Sequence, residues 1–177
     1  MDKKEFWQLI DSAKKASGGD QGLQEKELIS SLEKYAPEEI IDFECLLCEC
    51  LIEADDFGIM AAQKILDGYV SDDSYLYFRC WLVGQGESIF KAALDKPDTL
   101  AAVLDAPYQD FEELLSVATT AFQKRTGKEE EDETFPREIA ASRGLDYDSD
   151  SFTKGEDWTE SQLPKLLPKL WKKFGSA

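Results

Sequence analysis

Two charged side chains sit where the pattern around them calls for apolar ones. Arg79 lies inside the densest apolar run of the chain, SDDSYLYFRCWLVGQG from Ser71 to Gly86. Glu44 projects between Ile40, Cys48 and Leu51 on the segment Pro37 to Glu53. A guanidinium cannot shed its proton in a protein, so in a core it needs a carboxylate or several carbonyls. No acid lies three or four residues from Arg79 on either side, so its partner must come from another element. The expectation is a buried Glu44–Arg79 ion pair, read first as structural, because buried networks perturb pKa values as active sites do. The competing chemistry is an acid/base pocket in which Asp72, Asp73, Glu44 and Glu112 surround Arg79 as anion anchor.

Other chemistry is poorly supplied. The chain has no histidine, which removes Ser-His-Asp and Cys-His nucleophilic schemes and all His-ligated metal sites. Gly84-Gln85-Gly86 lacks the third glycine and the preceding strand of a dinucleotide fold, and there is no phosphate-loop lysine motif. Cys45, Cys48, Cys50 and Cys80 suggest zinc by count. On a helix, however, Cys50 points about 140° away from Cys45. They read instead as small buried residues in a reducing compartment, and no cofactor is expected. Asp146, Asp148, Asp150 and Asp157 match part of a calcium loop. Ser151 replaces its turn glycine and Asp157 is shorter than the usual bidentate glutamate, so the segment reads as a plain acidic loop.

These residues are carried by helices. Ser71 caps the central helix, with Asp72 and Asp73 in its first turn, and apolar residues cover nearly its whole circumference. Pro37 suits the first turn of the preceding long helix, on which Asp42, Glu49 and Glu53 form one polar strip. Asp2 starts a first helix with Phe6, Leu9, Ile10 and Ala13 inward. Asp20 starts a second with Leu23, Leu28, Ile29 and Leu32. Asp55 or Asp56 opens a helix ending at Asp67-Gly68, and a short one through Ile89 to Leu94 stops before Pro97. Pro107 is read as opening a strong amphipathic helix through Phe111, Leu114, Leu115, Ala118 and Phe122 to Gly127. Phe135 to Gly144 has room for one short helix. Thr159 and Gln162 fit a capping box, and Leu163, Leu166, Leu167, Leu170 and Phe174 recur at helical spacing, interrupted by Pro164 and Pro168.

The fold class is therefore all-α, a single-domain bundle of about seven to nine helices with an acidic loop and a proline-interrupted C-terminal helix. Residues 1–127 form the helical core, 128–157 an acidic loop region, and 158–177 a helical segment that packs back on the core. The formal net charge of −17 disfavours nucleic acid and anionic membranes and favours fast association with basic partners. No window approaches the roughly 18 apolar residues of a membrane span, the start is not a secretory signal, and cytoplasmic residence is expected.

Particular residues carry a family likeness. Phe6-Trp7 with Ile10, Glu39-Ile40 through Phe43-Glu44, Ser71-Asp72-Asp73, Tyr77-Phe78-Arg79, Trp81-Leu82, Gln85-Gly86, and Trp158 with the closing LPKLLPKLWKKFG resemble a bacterial family known as domain of unknown function 4240. The likeness spans nearly the whole chain. It departs at Asp67-Gly68-Tyr69-Val70, where the family often has a glycine pair and a small residue, and at Phe57-Gly58, where it tends to have tryptophan. It implies a fold and brings no catalytic residues. The expected function is a non-catalytic, acidic protein-binding module, of the kind that inhibits a basic bacterial toxin by occlusion. Asp42, Glu49, Glu53, Asp72, Asp73, Glu44 and Arg79 are its candidate binding residues. The alternative is a small enzyme or ligand-binding domain around Arg79.

Overall fold

The computed structural model describes residues 1–147 and 153–175. Among them are ten α-helices: α1 Lys3–Ser17, α2 Gln21–Leu32, α3 Pro37–Glu53, α4 Phe57–Asp67, α5 Asp72–Gly84, α6 Glu87–Asp95, α7 Val117–Thr126, α8 Pro136–Ser142, α9 Leu163–Leu166 and α10 Pro168–Phe174. Shorter 3-10 turns lie at Pro97–Ala102, Glu112–Ser116 and Glu160–Gln162. The described residues contain no strand, only one isolated parallel bridge between Asp56 and Lys154, so the fold is all-α. None of these helices is long and apolar enough to cross a membrane.

The starts follow the side-chain chemistry. Asp2 accepts the Glu5 N–H while Glu5 reaches back to the Asp2 N–H, and Asp20 and Asp56 each accept a first-turn N–H of their helices. Ser71 and Ser74 exchange hydroxyl and backbone bonds at the start of α5. α5 runs through the middle of the core, where Phe78, Cys80, Leu82 and Val83 are fully buried. α3 lies beside it with Ile40, Phe43, Leu47 and Leu51 equally buried, and α7 and α8 close over the other side of α3. Cys45, Cys48, Cys50 and Cys80 are buried, unpaired thiols that fill this core. Leu23 and Leu166, expected inward, are each 49% exposed, because neighbouring apolar positions on their short helices already face the body.

One helix expected from periodicity is shorter than its pattern. Pro107 opens no helix. The chain from Val103 to Phe111 is irregular, and α7 starts only at Val117. Phe111 takes an extended φ of −155°, donates its N–H to the Tyr77 carbonyl, and lays its ring on Gly84. A Cβ on Gly84 would stand 2.7 Å from that ring, so the glycine admits it. Burying one large ring against α5 overrides the helical spacing of the residues around it.

The tail docks through a borrowed cap. Pro168 pushes Leu167 out of the helical region, ending α9 and starting α10. Leu167 has no side-chain acceptor, so buried Asp98, from the turn after α6, accepts the first-turn N–H groups of Lys169 and Leu170 at 3.0 Å each. Lys173 donates to the carbonyls of Ala101 and Leu104 at the other end. Asp98→Ala is expected to cost about 1–2 kcal/mol, the worth of a good helix cap. It should also make α10 the first site cut by protease under native conditions, which a time course read by mass spectrometry checks.

The loop aspartates Asp148 and Asp150, two of the four in the calcium-like pattern, lie outside the described residues.

Candidate functional site

The two misplaced charges are both buried, but they do not pair with each other. Glu44 is fully buried and its Oε1 accepts from Arg137 Nε at 2.7 Å, across 93 residues of sequence. Arg137 comes from the first turn of α8. Its other nitrogens donate to the Leu115 carbonyl at 2.8 Å and to the Tyr147 hydroxyl, and the guanidinium lies 4.9 Å from the Tyr147 ring centre. Cys48, one turn along α3, points its thiol at the same Oε1. Glu44 Oε2 is buried with no hydrogen-bond partner. Burial pushes the Glu44 carboxyl up, and Arg137 and Cys48 pull it partly back.

Arg79 reaches the same helix, two turns further on. Its Nη1 donates to the Leu51 carbonyl at 2.9 Å, and its guanidinium stacks 4.7 Å from the ring of Tyr75. Leu51 is among the last residues of α3, whose closing carbonyls have no partner within the helix. A cation there also meets the negative end of the helix dipole. The hydroxyl of Tyr75, one turn back on α5, sits 3.1 Å from the Ala54 carbonyl and 2.9 Å from the Asp56 N–H. Arg79 and Tyr75 together thus finish the α3–α4 corner. The partner does come from another element, but it is the Leu51 carbonyl instead of Glu44, and Arg79 Nε stays buried without a hydrogen-bond partner.

The carboxylate strip of α3 is partly neutralised by the chain itself. Asp42 accepts from the N-terminal ammonium of Met1 at 2.6 Å with Arg143 4.0 Å away, and Glu49 pairs with Lys3 at 3.0 Å. Glu53 is exposed. Asp72, Asp73 and Glu112 are at the surface while Glu44 and Arg79 are in the core, so these groups do not meet in one cleft.

What the structure does assemble is a groove that spacing alone does not disclose. It has a volume of about 380 Å³ and lies where the end of α4, the start of α5 and the irregular stretch before Phe111 meet. Tyr69 and Tyr108 stand on it 58% and 69% exposed, far more than aromatic rings usually are, with Tyr77 between the flanking elements. Asp67, Asp73 and Asp110 supply its carboxylates. The Tyr108 N–H donates to Asp67 Oδ1 at 3.2 Å, with Tyr108 in the left-handed region at φ 61°. Burial, with Asp110 nearby, holds the Asp67 carboxyl above its ordinary value, and the Glu112 carboxylate beside the Tyr77 hydroxyl pushes that phenol up. Ring faces beside carboxylates suit a cation, above all a guanidinium, which stacks and accepts ion pairing at once. Of the tyrosines and aspartates that line the groove, only Asp73 is a candidate from sequence. The local signal for the rest is Tyr69 and Tyr108, each in a polar connection next to Gly68 or Pro107.

Neither a curated protein nor a solved structure matches the chain significantly. A family model described as "Protein of unknown function (DUF4240)" matches residues 1–124. The match takes in Glu44, Arg79 and every residue of the groove, and stops before Arg137 and the closing lysine-rich segment. With most of its length under that match, the chain belongs to the DUF4240 family.

Proposed function

We propose that the protein is a non-catalytic docking module for a basic protein partner, with the tyrosine–carboxylate groove at the centre of the contact. The observation that supports this reading is two rings held out in solvent beside three carboxylates in a chain of formal net charge −17. Tyrosine and arginine dominate the energetics of protein interfaces, and a partner arginine would find both ring and acid here. The wider negative surface steers a cationic partner inward and speeds encounter. An immunity-type inhibitor that covers the cationic cleft of a toxin is the biological form this reading takes.

A hexa-arginine peptide tests the site chemistry. Its affinity is expected to fall steeply with added salt, as binding between opposite charges does. Asp110→Asn is expected to weaken it several-fold. Glu130→Gln, the same charge change in the remote acidic loop, should leave it within about twofold. Equal losses from both variants would reduce the binding to bulk charge and remove the groove from the proposal.

A further inference from the structure

A second concave site lies between the start of α1, the end of α3 and α6, with a volume of about 240 Å³. Each helix gives it an apolar floor and a charged rim at helical spacing. Trp7 and Lys3 come from α1, Cys50 and Glu53 from α3, and Phe90 with Glu87 and Lys91 from α6. The floor is rigid: Trp7 is 6% and Phe90 2% exposed, their ring centres 5.1 Å apart. Burial pushes the Cys50 thiol up to about 12, so the floor carries no charge at neutral pH. The rim holds both signs of charge, two ammonium groups and two carboxylates, with Glu49 just outside it on Lys3. Lys91 pairs with Glu87 at 2.6 Å and Lys3 with Glu49 at 3.0 Å. Exposed pairs of this kind are worth about 0–1 kcal/mol, so the lysines exchange partners readily.

We propose that this cavity binds a free α-amino acid with an apolar side chain. The side chain rests on Trp7 and Phe90, the carboxylate takes Lys3 and Lys91, and the ammonium takes Glu53 and Glu87. A ligand of one sign would leave the opposite half of the rim facing a like charge. The volume falls below the roughly 300–1,000 Å³ of sites for drug-sized molecules, which suits a single amino acid. The inference stands apart from the docking reading, since the groove is built from other elements.

The test is a titration of the full chain with L-leucine and L-phenylalanine, followed by the NMR signal of the Trp7 indole N–H, assigned with Trp7→Phe. N-acetyl-L-leucine and L-leucinamide serve as probes with one charge blocked. The indole signal is expected to shift saturably with either amino acid, with dissociation constants of about 1 mM or below. Each blocked analogue should bind about tenfold more weakly, one lost charge contact. Lys3→Ala and Glu53→Gln, both at exposed positions, should weaken leucine binding alike while the thermal transition stays in place. An indole signal unmoved by either amino acid at about 20 mM would overturn the proposal. Blocked analogues binding as well as leucine, or rim variants binding it as wild type does, would overturn it too.

Discussion

Arg137→Met is expected to lower stability by about 3–5 kcal/mol at neutral pH, because it leaves the carboxylate of Glu44 buried without its counter-charge. Methionine keeps the stem of the side chain, so the loss reports on charge more than on packing. The loss should also depend on pH, in a direction that follows from linkage. Burial already holds the Glu44 carboxyl above its ordinary value of 4.5 with Arg137 in place. A carboxyl raised in the folded state costs nothing while both states are protonated, below its unfolded pKa. The penalty grows as pH climbs toward the folded pKa, because the unfolded chain ionises first. Removing Arg137 raises the folded pKa further and widens that window. The deficit of the variant relative to wild type should be smallest near pH 4 and largest at neutral pH. Glu44→Leu combined with Arg137→Met should recover much of the loss, since replacing buried ion pairs by apolar residues is often neutral or stabilising. The pair is buried at its Glu44 end, while the Arg137 side chain is one-third exposed. Urea unfolding of both variants at the two pH values measures all of this, and a single variant as stable as wild type at neutral pH would remove the pair as an anchor.

Arg79→Ala is expected to cost about 3 kcal/mol or more. A hydrogen bond from a charged donor contributes about 1.5–3 kcal/mol, and truncating a buried side chain adds a cavity. The loss should be local in its consequences. Leu51 regains an orphan carbonyl at the end of α3, so backbone amides of the α3–α4 corner should exchange hydrogen faster than those of α1 and α2. Tyr75→Phe, which removes the hydroxyl from the same corner but keeps the ring under the guanidinium, should cost less and loosen the same amides. Hydrogen exchange read by NMR separates this outcome from uniform destabilisation. Protection lost equally across all helices would mean that Arg79 does not act through the corner.

The helices α1 to α6 were legible because punctuation marks them. Asp2, Asp20, Asp56 and Ser71 each cap a helix, and Gly18 and Gly68 close α1 and α4 with left-handed φ values. These are local interactions, so a linear reading finds them. The stretch after Pro107 was not legible, because the conformation of Phe111 is set by a ring contact with Gly84, 27 positions earlier in the chain. That Glu44 and Arg79 are buried could be read from their apolar surroundings. Which cation answers Glu44 could not, because spacing along one helix says nothing about an arginine arriving from α8. One hint was available: Arg137 occupies the first turn of its helix, where the dipole disfavours a cation, so something outside α8 had to favour it. The groove was hidden for the same reason as the pair. Its carboxylates and rings come from separate segments, each of which alone reads as an ordinary polar connection.

The function proposed here rests on a division between charges that hold the fold and groups that meet a partner. Glu44, Arg137 and Arg79 belong to the first kind, and Tyr69, Tyr108 and Asp110 to the second. Titration of the hexa-arginine peptide against two variants separates them most directly: Tyr108→Ala, which alters no charge, and Glu44→Leu with Arg137→Met, which empties the core of its ion pair. The expected result is that Tyr108→Ala weakens binding about tenfold, as loss of an interface tyrosine stacked on arginine does, while the core variant binds as wild type. Wild-type affinity in Tyr108→Ala, with binding lost in the core variant, would contradict that division and move the site to Glu44.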